Sequence, residues 1–252
     1  MDNNKIISEL GIAKTAAEKA GLFLIDNKEI LNTSIFSSNT DVKLKADVES
    51  EKIIKDFIVA KSSYPILAEE SGKSVENLGS TFWVVDPLDG TVNYSRNFPI
   101  CCVSIALIHN LKPVLGVIYD FNNQDLYEGS KSTNACLNSK EICVSSINEK
   151  SKGLLLTGLP NSTNFSDSSL IRYVRDFQNW RKVRMIGSAA MASAFVASGR
   201  ADVYKENGTF LWDVAAGAAI LSAAGGYASI TNQKENFQID VFFSNSKIIE
   251  NT

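Results

Sequence analysis

WVVDPLDGTVNY, residues 83–94, decides how the rest of the chain is read. Trp83, Val84 and Val85 have the aromatic and β-branched character of a buried strand, and two carboxylates, Asp86 and Asp89, follow at once. Pro87 fixes its own φ and biases Asp86 toward extended backbone, so the pattern predicts a strand that ends at Asp86 and a chain that turns at Pro87. That turn would aim both carboxylates and the Leu88 carbonyl at one point. Such oxygens are hard ligands, suited to Mg²⁺ or Mn²⁺ and poorly suited to zinc. Gly90 and Thr91 would then offer backbone N–H groups and a hydroxyl to an anion such as phosphate. A plain surface turn is the competing reading, because Asp, Pro and Gly are the commonest turn formers.

Acids elsewhere bear on that choice. Glu69 and Glu70 close the preceding apolar stretch in AEES, and Asp213 opens a helical pattern in LWDVAAG. Asp47 opens another in DVESEKII, and as single residues both Asp213 and Asp47 read as helix N-caps. Together the acids would furnish the carboxylate-rich site of a multi-metal enzyme.

The other counts remove alternatives. The chain of 252 residues has one histidine, His109, at the end of ICCVSIALIHN, so Ser-His-Asp, Cys-His and multi-histidine metal chemistry lose their basis. The formal net charge of -3 supplies no basic field, which argues against nucleic acid as a partner. Four cysteines without a CxxC pair are expected to be buried free thiols. MDNNKIISEL has no secretory pattern and no apolar run suits a membrane span, so the expected location is cytoplasmic.

Periodicity organises the rest. Ile6, Leu10, Ala13, Ala17, Ala20 and Leu24 make a helical stripe, and Ile53, Ile54, Phe57 and Ile58 suggest a second helix. YPILAEES and TFWVVD read as short buried strands. From 101 to 144 strands alternate with short turns, CCVSIALIH, KPVLGVIYD, DLYEGS and ACLNSKEICV, as in an antiparallel sheet. Beyond residue 150 strands and helices alternate, ending with WDVAAGAAILSAAGG, YASI and DVFFSN. The expected division is an N-terminal α+β part over residues 1–147, with most of the candidate ligands, and a C-terminal α/β part over 148–252 that supplies Asp213.

WVVDPLDGTVNY followed by FPICCVSIAL, with EES before it and WDVAAGAAILSAAGG after it, resembles the inositol monophosphatase family of magnesium-dependent phosphatases. KLKADVESE, ACLNSKEICVS and IGSAAMASAFVASGRADVY extend the resemblance over nearly the whole chain. It implies an α+β fold layered as an αβαβα sandwich, a homodimer, inhibition by Li⁺, and two or three Mg²⁺ ions, with Mn²⁺ as a substitute. Metal would be held by Glu69, Asp86, the Leu88 carbonyl, Asp89 and Asp213. Thr91 and Asp47, with Glu70 in support, would orient the attacking water. Phosphate would lie against Gly90 and Thr91, within reach of Glu69, Leu88, Asp89 and Asp213. Gly187, Ser188 and Ala189 would approach the substrate, and Glu206 would hold a hydroxyl of a polyol. Lys45 stands where the family usually has threonine two residues before the early aspartate.

The resemblance therefore implies hydrolysis of inositol monophosphate or a related small sugar or polyol phosphate. A 3′(2′),5′-bisphosphate nucleotidase, which shares the same metal motifs, is the first alternative, and fructose-1,6-bisphosphatase and histidinol phosphatase follow it. An inactive binding protein with this fold would be marked by loss of a metal acid, and none is lost here.

Overall fold

The computed structural model describes residues 1–37, 42–160, 163 and 165–249. Helix α1 (Asn3–Asp26) buries the predicted stripe, and its first turn is capped by Asp2, whose carboxylate accepts from Lys5 N at 2.9 Å. A short α2 (Lys28–Leu31) leads to β1 (Ser34–Ser37), paired with β2 (Val42–Leu44), and then α3 (Lys45–Val59). The next strands are β3 (Ile66–Ala68), β4 (Gly72–Lys73) and β5 (Thr81–Asp89). After α4 (Thr91–Ser95) come β6 (Cys102–His109), β7 (Lys112–Asp120), β8 (Asp125–Ser130), β9 (Thr133–Leu137) and β10 (Lys140–Glu141). The remainder alternates: β11 (Leu154–Thr157), α5 (Asp167–Phe177), β12 (Lys182–Arg184), α6 (Ala189–Ala197), β13 (Val203–Phe210), α7 (Leu211–Ala223), β14 (Tyr227–Thr231) and β15 (Gln238–Ser244).

An eight-stranded sheet in the order β10-β9-β8-β7-β6-β5-β3-β4 is antiparallel except where β3 runs parallel to β5. A five-stranded sheet has the order β12-β11-β13-β15-β14. One core joins α1 and α3 to the outer face of the large sheet through Ile6, Leu24, Ile54 and Trp83. A second lies between the sheets, where α6 and α7 pack on both. A third, around Leu155, Trp180 and Val203 with Phe177 of α5, covers the far face of the small sheet. The layers are α1/α3, large sheet, α6/α7, small sheet and α5: an α+β fold arranged as an αβαβα sandwich.

Several expectations need correction. β5 does not stop at Asp86, nor does the chain turn at Pro87; the strand runs on to Asp89. Between Asp86 and Asp89 its register against β6 slips by one residue, from Asp86↔Ser104 to Asp89↔Cys102. Proline lacks an N–H for the ladder, and a bulge is where a strand accommodates it. The reversal falls at Gly90, whose φ of 89° is open to glycine at little cost. ACLNSKEICV is a hairpin rather than one strand: Asn138 and Ser139 both have positive φ, and pairing ends at Glu141. The four cysteines are free, but Cys143 is exposed and Cys136 only half-buried. No helix among the described residues is long and apolar enough to cross a membrane.

Candidate active site

The site begins where β3 and β5 lie parallel. Glu69 N donates to Val85 O at 3.1 Å, which brings the end of β3 level with the end of β5 and sets Glu69 beside Asp86. Asp86 is fully buried, and burial followed by the charges of Glu69, Asp89 and Asp213 drives its carboxyl well above the ordinary range. Glu69 faces solvent in the cleft, yet the protein crowded around it, and next the charge of Asp213, raise its carboxyl strongly too.

Asp89 is gripped from the other half of the chain. Ser188, N-cap of α6, donates its hydroxyl to Asp89 Oδ2 at 2.5 Å, and Ala190 N donates to the same oxygen at 2.7 Å. Burial still lifts Asp89 to about 6, against those two bonds. Asp213 sits in the first turn of α7, three residues after the N-cap Phe210, and is not the N-cap itself. Its Oδ2 accepts from Phe210 N at 2.8 Å and Thr209 Oγ1 at 2.5 Å, and burial together with Asp89 raises it to about 7.

Asp47 repeats that arrangement on α3: the N-cap is Leu44, whose N–H donates to Asp47 Oδ2 at 2.6 Å. Its Oδ1 accepts from Thr91 Oγ1 at 2.8 Å, so the structure brings together the two residues expected to handle water. Burial raises Asp47 to about 6. Thr91 Oγ1 also lies 3.1 Å from the Leu88 carbonyl, and Ser50 Oγ of α3 donates to Pro87 O at 2.9 Å, pinning the bulge. Glu70 is paired with Lys43 of β2, and its N–H donates to Glu51 Oε2 at 2.9 Å. Lys45 is exposed and does not line the cleft.

These groups surround a cleft of about 780 Å³. Glu69, Glu70, Asp86, Leu88, Asp89, Gly90, Thr91 and Asp213 line it, and Gly187, Ser188, Ala189 and Glu206 form part of its wall. Asp47 stands behind Thr91 rather than in the lining. The Ser188 hydroxyl is engaged by Asp89. Glu206 accepts from Tyr204 at 3.1 Å, and burial raises it to about 7. Among the described residues, no three acidic, cysteine or histidine side chains meet at one point as they stand; the acids ring the cleft.

Lys43, Thr209 and Asn93 were not singled out by sequence. Asn93 Nδ2 donates to Ile100 O at 2.7 Å and Ile186 O at 2.8 Å, tying α4 to the segment that enters α6. Only Thr209, four residues before Asp213, carried a local signal, as a hydroxyl next to a helix start.

Carboxylates that raise one another's pKa hold uncompensated negative potential, and all the donors are oxygens. That donor set fits a hard divalent cation.

The Inositol monophosphatase family model matches residues 7–252. A Nus factor SuhB of Xylella fastidiosa is 38% identical over 222 residues, 86% of this chain and 80% of that protein. An inositol-1-monophosphatase of Synechocystis sp. is 37% identical over 191 residues, 75% of this chain and 67% of that protein. The solved structure of an inositol monophosphatase from Anabaena (Nostoc) sp. matches with a TM-score of 0.83 and 34% identity, covering 96% of this chain and 92% of that one.

Proposed function

We propose, from the premise that the chain belongs to the inositol monophosphatase family, that it hydrolyses inositol monophosphate or a related small polyol or sugar phosphate with the help of Mg²⁺. The observation that carries this reading is one cleft in which Glu69, Asp86, Asp89 and Asp213 stand beside the hydrogen-bonded pair of Thr91 and Asp47. Glu69, Asp86, the Leu88 carbonyl, Asp89 and Asp213 would hold the ions. When bound, the cation supplies neutralisation of the ester's charge and activation of water.

The chain's own groups do the rest. Thr91 has one hydroxyl proton and two acceptors, Asp47 Oδ1 and the Leu88 carbonyl. With that proton on Asp47, the lone pairs of Oγ1 accept a hydrogen bond from a water and fix its direction. Asp47, lifted to about 6 by burial, has a basicity matched to neutral pH and can take the Thr91 hydroxyl proton as Oγ1 receives the one that the water gives up. Gly90 and Thr91 present backbone N–H groups to the phosphate as the chain turns into α4. Gly187 and Ala189 shape the opposite wall, where Glu206 can accept from a substrate hydroxyl.

Relatives named as Nus factors prompt a second reading, in which the fold serves as a binding factor. The complete set of site acids favours the enzyme. The test is phosphate release with and without Mg²⁺ from inositol 1-phosphate, fructose 1,6-bisphosphate, histidinol phosphate and adenosine 3′,5′-bisphosphate. The first is expected to be the preferred substrate. Clear preference for the last would replace the polyol assignment by a nucleotidase, and no release from any would favour the binding factor.

A further inference from the structure

Six carboxylates line the cleft, Glu69, Glu70, Asp86, Asp89, Glu206 and Asp213, and the only basic side chain among its described lining residues is Lys43. Lys43 stands on β2, opposite Phe36 of β1, and its strand leads directly into α3 at Lys45, whose N–H is held by Thr33 O at 2.9 Å. The anchor of the lysine is thus fixed while its stem is about one-third exposed, 32% by side-chain area. Its ammonium pairs with Glu70, and the next residue, Leu44, holds Asp47 through its N–H, so Lys43 lies on the side of the cleft where Asp47 meets Thr91. A phosphate ester carries negative charge into a cleft of this composition and needs every cation that the chain can offer.

We propose that Lys43 is a substrate-binding residue whose ammonium, anchored on Glu70, donates to the phosphoryl oxygens of the bound ester. The inference rests on the phosphatase reading and deepens it. An ammonium has three N–H donors, so one can remain on Glu70 while two meet the anion. Glu70 then acts through Lys43, holding it at the phosphate end of the cleft against the pull of the other acids. Nothing in the role requires Lys43 to change its protonation.

Binding of inorganic phosphate, the product, tests this without turnover. Calorimetric titration of phosphate into protein saturated with Mg²⁺ would compare the wild type with Lys43→Gln and Lys43→Arg. The glutamine variant is expected to bind phosphate about tenfold more weakly, the loss of one charge-assisted contact, and the arginine variant to stay within about threefold of wild type. Separate titration of Mg²⁺ should show affinity unchanged or tighter in Lys43→Gln, because a positive charge has left an acidic cleft. A misfolded variant would lose both affinities, which is why weaker phosphate binding with retained Mg²⁺ affinity is diagnostic. Phosphate affinity unchanged in Lys43→Gln, or lost together with Mg²⁺ affinity in both variants, would overturn the proposal. The phosphatase reading stands or falls separately, on release of phosphate by the wild type.

Discussion

Asp47 and Asp213 hold the same position in their helices and the same bond: a carboxylate in the first turn accepts from the N-cap N–H, at 2.6 Å from Leu44 and 2.8 Å from Phe210. A carboxylate there satisfies an orphan donor and meets the positive end of the helix, so one oxygen is structural while, on the proposed function, the other serves the site. The N-cap side chains, leucine and phenylalanine, have no polar atom for the task, which leaves these aspartates as the side-chain partners. The double duty separates under substitution. Asparagine keeps an acceptor for the N–H but not the negative charge. Asp47→Asn is therefore expected to be at least as stable as wild type in metal-free buffer at pH 8, yet about 100-fold or more slower in Mg²⁺-dependent phosphate release. Thermal unfolding and steady-state kinetics measure the two halves. A variant that melted lower and kept its rate would make Asp47 a helix cap and nothing more.

Of the two helices that join the sheets, α7 owes its fit to what the facing strand lacks. A Cβ on Gly116 of β7 would stand 2.2 Å from the Ala216 carbonyl oxygen, so helix and strand meet backbone to backbone. Gly116→Ala would push α7 outward, and Asp213 rides on its first turn. The expected loss is about 1–3 kcal/mol by urea unfolding, with a fall in phosphate release, and an unchanged midpoint would contradict the close approach. How much of this the letters carry differs by element. α7 is legible as buried, since Val214 to Leu221 leave it no polar face, and the stripe of α1 is legible by its period. The β1–β2 hairpin is not, because all four residues of β1 are exposed and show no alternation. The turn lies at Gly90, three residues beyond the Pro87 that the sequence pattern predicts, because a bulge is a property of the pairing with β6 and not of the β5 sequence. The site follows the same rule. Glu69, Asp86, Asp89 and Asp213 stand in a recognisable order along the chain, whereas Lys43 and Asn93 gain their meaning only from neighbours that the fold delivers.

Over the whole molecule, the acids of the cleft oppose the fold that gathers them. Asp47 and Asp89 lie at about 6 and Asp213 and Glu206 at about 7, all above the ordinary carboxylate values near 4. The folded state therefore binds protons more tightly than the unfolded chain. For raised acids the stability they contribute is fully present below about pH 4 and is lost as pH rises through 6 to 7. Without a divalent cation, the site's share of stability should be greater at pH 5.5 than at pH 8. A cation that binds the ionised acids reverses the balance where they are ionised. Thermal unfolding in chelator should show a lower midpoint at pH 8 than at pH 5.5. Mg²⁺ at about 100 times its dissociation constant adds about 2.7 kcal/mol, which for a chain of this size is a rise of roughly 5 to 10 °C at pH 8. At pH 5.5 the protons compete and the rise should be smaller. A midpoint insensitive to Mg²⁺ at pH 8 would mean that these carboxylates do not gather a cation, and the proposed chemistry of the cleft would fail with them.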